Sequence, residues 1–188
     1  MKIIASFEIC KKNLYSVQFD HSDMDEFSLA FDKWSDVEYL DKFFHEHSAD
    51  LTNGFYKDQY GDVTIEEAIS ITLEEAELLE ERLRQIAEKE DSREDLQSIF
   101  KPLNDSDYRQ PALQKSKATG GYRKSWLRIY AIRISSNFYV VFGSAIKLTE
   151  TMNDREHLKA ELVKLEMTKN YLRAQGVLDK ADYELLEL

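Results

Sequence analysis

Trp126-Leu127-Arg128-Ile129-Tyr130-Ala131-Ile132-Arg133-Ile134 is followed by Ser135-Ser136-Asn137 and then by Phe138-Tyr139-Val140-Val141-Phe142. β-Branched and aromatic residues dominate both runs, and the polar link between them has turn chemistry, so the pair reads as a β-hairpin. After Gly143, Ala145-Ile146-Lys147-Leu148 supplies a third short strand, which predicts a meander over 126–148. Strand side chains alternate, so Trp126, Arg128 and Tyr130 are expected on one face and Leu127, Ile129 and Ala131 on the other. That puts an arginine between two aromatics on the face away from the aliphatic core.

Upstream, Ile3, Ala5, Phe7 and Ile9 alternate along a second candidate hairpin, with a turn at Lys11-Lys12-Asn13 and a return through Tyr15, Val17 and Phe19. Between the two β regions the apolar period becomes helical. Met24, Phe27, Phe31 and Trp34 predict one helix over 23–34; Val37, Leu40, Phe43 and Phe44 predict another over 36–47, with Asp36 as its cap. Thr64 and Glu67 have capping-box spacing at the start of a long helix over about 64–90. Its seam, Ile65, Ile69, Thr72, Ala76, Leu79, Leu83 and Ile86, suits either a coiled coil with a partner or second copy, or a helix packed within its own domain. A Thr and an Ala in the seam favour internal packing, and the neighbouring Glu74, Glu75, Glu77, Glu80 and Glu81 read as a solvated flank.

A short helical piece is expected near 96–100, and residues 102–121, which hold both prolines and Gly120-Gly121, read as one long flexible loop. Asn153 and Glu156 repeat the capping-box spacing before a helix whose Leu158, Leu162, Leu165 and Leu172 form a stripe and whose stop is Gly176. Asp179 caps a last short helix carrying Tyr183, Leu185 and Leu186. The expected fold class is therefore α+β: one domain over 1–188, a small antiparallel sheet of N-terminal hairpin plus C-terminal meander, helices flanking it, and a helical insertion at about 23–101.

Charge is distributed as unevenly as hydrophobicity. From Tyr108 to Thr149 the chain carries eight basic residues and no Asp or Glu, while the chain as a whole has a net charge of −11. Such an island suits an anionic ligand, above all a phosphate backbone. At 43% hydrophobic and 12% aromatic the chain is a core-forming domain and no disordered acidic tail. One cysteine, Cys10, forms no internal disulfide and reads as a packing residue on a strand; no signal-like or membrane-spanning run is visible, so a cytoplasmic protein is expected.

Other chemistries find little support. His21, His45, His47 and His157 are scattered, and His45 and His47 diverge on a helix, so no metal pair is expected. Gly120-Gly121 and Gly143-Ser144 lack the spacing of a phosphate-binding or dinucleotide loop. What remains is the basic, aromatic-interleaved sheet of Arg123, Lys124, Arg128, Tyr130, Arg133, Tyr139 and Lys147, where Arg could hold a phosphate and Tyr stack a base.

In this region the chain resembles the RelE/HigB superfamily of bacterial toxins. That family has a basic strand with an Arg, an apolar second strand, a short third strand with Lys followed by Thr, and a helix over the sheet. Leu127-Arg128-Ile129-Tyr130, Tyr139-Val140-Val141, Ile146-Lys147-Leu148-Thr149 and the helix from Asn153 stand in that order, covering about 60 of the 188 residues. The resemblance implies cleavage of messenger RNA on the ribosome without metal or cofactor, with a cognate antitoxin as partner. Arg128 and Lys147 would stabilise the scissile phosphate and Tyr130 would stack or transfer a proton, with Arg123, Lys124, Arg133 and Tyr139 extending the RNA-binding surface. The acidic helical region would modulate access, and a homodimer is compatible with its seam. The competing expectation is a non-enzymatic interaction module that binds a basic protein through that region.

Overall fold

Two hairpins meet to make the sheet in the computed structural model, which describes residues 1–10, 13–88, 95–102, 113–120 and 125–186. The first pairs β1 (Ile3–Cys10) with β2 (Leu14–Phe19), and the second pairs β5 (Leu127–Ser135) with β6 (Phe138–Ile146), both antiparallel. They join through their second strands, so the β2–β6 contact is parallel. The sheet is completed by β3 (Lys101–Pro102) and β4 (Gln114–Thr119), giving six strands in the order β1-β2-β6-β5-β4-β3. The α+β class holds, but the sheet is mixed and larger than the small antiparallel one expected.

Two local expectations change with it. The supposed loop over 102–121 contains β4, an alternating strand whose Gln114, Ser116 and Ala118 are buried and whose Lys115 and Lys117 face the opposite way. Pairing with the open edge of β5 draws this polar, weakly strand-forming segment into the sheet; residues 103–112 and 121–124 lie outside the described residues. Nor is there a separate third strand at 145–148. β6 runs through Gly143 to Ile146, with a bulge that leaves Phe142 unpaired between the Tyr130–Gly143 and Ala131–Val141 pairs.

Helices fill the chain between the hairpins: α1 (Glu26–Ser35), α2 (Val37–Glu46), α3 (Ser48–Asn53), α4 (Lys57–Tyr60), α5 (Ile65–Glu88) and α6 (Leu96–Ile99). Their starts obey side-chain capping. Asp25 and Asp36 accept from the first turns of α1 and α2, and Thr64 and Glu67 exchange reciprocal bonds of 3.2 and 2.8 Å at the start of α5. Thr72, Ala76, Leu79, Leu83 and Ile86 of the α5 seam are buried against α1 and α2, so the seam packs internally. On the other side of the sheet α7 (Glu156–Ala174) lies over β6, followed by α8 (Lys180–Glu184). Arg155 occupies the N-cap of α7 and provides no side-chain cap, while Asn153 sits in the preceding turn, so the expected capping box is not formed. Gly176 ends the helix at φ +72°, and Asp179 with Asp182 forms the capping box of α8.

Each face of the sheet thus has its own core. Leu127, Ile129, Ala131, Tyr139 and Val141 pack with α1, α2 and α5; Tyr130, Ile132, Ile134, Val140 and Phe142 pack with α7 and α8. The alternation of β5 is as expected from residue 127 onward. Trp126, however, precedes the strand and joins the insertion-side core against Phe44, Tyr56 and Tyr60, so it does not share a face with Arg128.

If the α5 seam is a core element, Leu79→Ala should lower unfolding free energy by about 2–5 kcal/mol with the oligomeric state unchanged. Denaturant unfolding and sedimentation check this; dissociation of an oligomer without destabilisation would contradict it.

Candidate functional site

Beside α7 the sheet face facing it is only partly covered, and the remaining space is a cavity of about 530 Å³. Three strands bring its cations together. Lys115 and Lys117 come from β4, Arg128 from β5, and Lys147 from the residue after β6. Lys117 lies opposite Tyr130 in the β4–β5 register, with Arg128 opposite Thr119 two positions along, so one pleated face carries the whole set. The other wall is the 150–153 turn, with Leu162 and Leu165 of α7, and Phe55 stands at the side contributed by the helical insertion.

Arg128 is held firmly. Its Nη1 donates to the carbonyls of Ser125 and of Leu127, at 2.7 Å for the latter, and its Nη2 donates to the Tyr56 hydroxyl at 2.8 Å. Tyr56 in turn donates to the Ser125 carbonyl at 2.9 Å. Behind them, buried Glu75 of α5 accepts from Ser125 Oγ and from Tyr60 at 3.1 Å, and burial pushes its carboxyl above the usual range. Gly120 permits this arrangement, since a β-carbon there would lie 2.3 Å from Ser125 Oγ. The guanidinium is therefore fixed by the Ser125 and Leu127 carbonyls at the start of β5 and by Tyr56 just before α4, with Glu75 of α5 holding Ser125 from behind.

Lys147 donates to the carbonyls of Thr149 and Glu150 at 2.6 and 2.5 Å. Desolvation, with Arg128 and Lys117 nearby, brings its pKa down to about 8. It can thus act as a cation and, near neutral pH, exchange a proton. Lys115 is paired with Glu166 of α7 at 3.1 Å. Tyr130 donates to Met152 Sδ at 2.9 Å, its ring is 1% exposed, and burial raises its pKa well above the ordinary phenol value. The phenol is a wall of the cavity, with no open ring face on which a base could stack.

Of the residues expected to form the site, Arg128, Tyr130 and Lys147 come together. Arg133 and Tyr139 do not. They lie on the opposite face in a separate cleft of about 210 Å³, where Arg133 donates to Gln97, Gln114 and the Ser135 carbonyl, and Tyr139 is buried in a stack on Phe100 with centroids 4.7 Å apart. Arg123 and Lys124 lie outside the described residues. Lys115, Lys117 and Phe55 were missed as site members. The lysines carried a signal, because their two-residue spacing is that of one strand face, but the segment lacks the apolar residues that announce a strand.

The chain matches no family model, no curated protein and no solved structure.

His47 and His157 approach to 4.9 Å between rings, with Asp50 near His47, but His157 Nε2 faces the Ile146 carbonyl at 3.1 Å, and no group of three metal-ligating side chains occurs among the described residues. The recess gathers Lys117, Arg128 and Lys147, with Lys115 paired to Glu166 and Glu150 also on its wall, and in such a partly desolvated place each charge-assisted hydrogen bond is stronger than at an open surface.

Because Lys147 is charged below about 8 and neutral above, anion affinity should fall as pH rises through that value. Sulfate, whose charge does not change in this range, should bind about tenfold more weakly at pH 9.5 than at pH 7 in calorimetric titrations. Lys147→Met should show weak binding at both; a flat wild-type profile would contradict the assignment.

Proposed function

We propose that the cavity binds the phosphate backbone of single-stranded RNA and that the chain is a toxin of the RelE/HigB type, cleaving messenger RNA on the ribosome. The observation that carries this reading is the convergence of Arg128, Lys117 and Lys147 on one recess of an acidic protein. An acidic chain is repelled by RNA everywhere except where its cations are gathered, so the recess also sets the approach.

The residues divide the work by their surroundings. Arg128, fixed by Tyr56 and Ser125, and Lys117 on the neighbouring strand offset charge on the non-bridging phosphate oxygens. Lys147, with its lowered pKa, takes the 2′-hydroxyl proton in its neutral form. The 2′-oxygen then bonds to phosphorus, the P–O5′ bond breaks, and the 5′-oxygen gains a proton from water, leaving a cyclic 2′,3′-phosphate and a 5′-hydroxyl. Tyr130, its proton directed at Met152, shapes the wall. No helix among the described residues is long and apolar enough to cross a membrane, and this reading places the protein in the cytoplasm with the ribosome and an antitoxin partner.

Single-stranded RNA binding should weaken with salt, and Lys117→Ala and Lys147→Ala should each reduce the log–log slope by about 0.7. Expression of the wild type should arrest growth, and Arg128→Lys, which keeps the charge but loses the fixed fork, should relieve it. A wild-type protein that neither binds RNA at low salt nor slows translation would overturn the proposal.

A further inference from the structure

Where two strands stop pairing, a cluster of three charged side chains takes over. The parallel contact of β2 with β6 ends at Val141, and past it the Ser144 N–H donates to the Glu161 carboxylate of α7 at 3.1 Å. Lys164, on the same face of α7, reaches Glu161 at 3.0 Å and Glu26, at the start of α1, at 2.8 Å. Both carboxylates are buried, and a β-carbon at Gly143 would strike that of Glu161.

This cluster is one positive charge short. A second buried carboxylate without a cation of its own is costly, and Glu26 Oε1 is left with no hydrogen-bond partner. The other groups facing the cluster do not supply the charge. Tyr39 of α2 and Tyr130 of β5 lie within electrostatic reach of Glu161, but burial keeps both phenols neutral, and the Asp25 carboxylate accepts from the Phe27 and Ser28 N–H groups. Two carboxylates in one desolvated site avoid double ionisation by sharing a proton. We propose that the Glu26–Glu161 pair binds one proton, that this proton fastens α7 to α1 and β6, and that its release weakens the cationic cavity. Burial raises Glu161 to about 7 against the pull of Lys164, which agrees with the geometry. Leu162 and Leu165 of the same helix line the cavity, and buried Tyr130 is its wall, so an ionised pair sets net negative charge behind that wall. This last consequence rests on the anion-binding reading of the cavity; the proton itself does not.

An unfolded glutamate releases its proton near about 4.3, whereas the native pair keeps it to about 7, so the cluster's contribution to stability falls as pH rises through that window. The test follows the carboxyl-carbon resonances of the glutamates in isotopically labelled protein against pH. One resonance should titrate with a midpoint of about 7, vanish in Glu161→Gln, and move to higher pH in Lys164→Met. Titration of every glutamate in the ordinary range, or a midpoint unmoved by Lys164→Met, overturns the shared proton. The denaturant midpoint of Glu161→Gln, which keeps an acceptor for Ser144, should gain on wild type as pH rises from about 5 to about 8; a constant difference overturns the fastening role. Sulfate should bind both proteins alike near pH 6 and Glu161→Gln more tightly near pH 8. Equal affinities at both values overturn the link to the cavity alone, and a wild type that binds no sulfate near pH 6 overturns the anion-binding reading while the carboxyl titration stands.

Discussion

The β5–β6 hairpin is apolar on both faces, and everything else in the fold follows from the need to remove both faces from water. A sheet with one wet face reads as alternating polar and apolar residues; this one does not. Leu127, Ile129 and Val141 demand one cover and Tyr130, Ile132 and Phe142 another. The insertion supplies the first through α1, α2 and α5. Helix α7 supplies the second, but a single helix lying over β6 leaves the β4 side of its face open, and the opening is the cationic cavity. The site is thus the part of the sheet that the second layer does not reach.

A buried ionic cluster ties the two helical layers to the sheet. Lys164 of α7 bonds Glu26 at the start of α1 at 2.8 Å and Glu161 at 3.0 Å, with Glu26 1% exposed. Gly143 makes the contact possible, because a β-carbon there would strike the Glu161 carboxylate, and Glu161 also accepts from the Ser144 N–H at 3.1 Å. Two carboxylates with one ammonium leave an excess negative charge. Burial accordingly raises Glu161 to about 7, the Lys164 ammonium is held above its ordinary range, and Glu26 Oε1 has no hydrogen-bond partner. Such clusters contribute little net stability but penalise arrangements that separate the partners.

Most of the fold was legible because it is written in local patterns. The caps at Asp36, Thr64 and Asp179, the stop at Gly176 and the α5 seam are short-range signals that tertiary packing did not override. What escaped were features set across the sheet. Gln114–Thr119 has no strand-like composition and becomes β4 because β5 offers it an edge; the β2–β6 contact is parallel because of how two hairpins dock, which neither hairpin encodes alone. Arg128 and Tyr130 on β5 and Lys147 just after β6 line one cavity, a grouping that strand alternation makes readable. Arg133 and Tyr139 fail because an odd step in β5 turns Arg133 to the opposite face, where Tyr139 pairs with it. Phe55 carried no signal in the sequence, since its place at the cavity depends on where Gly54 and Tyr56 put it.

The central claim, that the partly covered face beside α7 is where RNA is held, is tested most directly by titrating a short single-stranded RNA into isotopically labelled protein and following backbone amide resonances. The account predicts perturbations concentrated at Lys115–Thr119, Arg128–Tyr130 and Lys147–Asn153, with Phe55 included and the Arg133–Tyr139 cleft unaffected. Perturbations centred on that cleft, or along the acidic flank of α5, would contradict it.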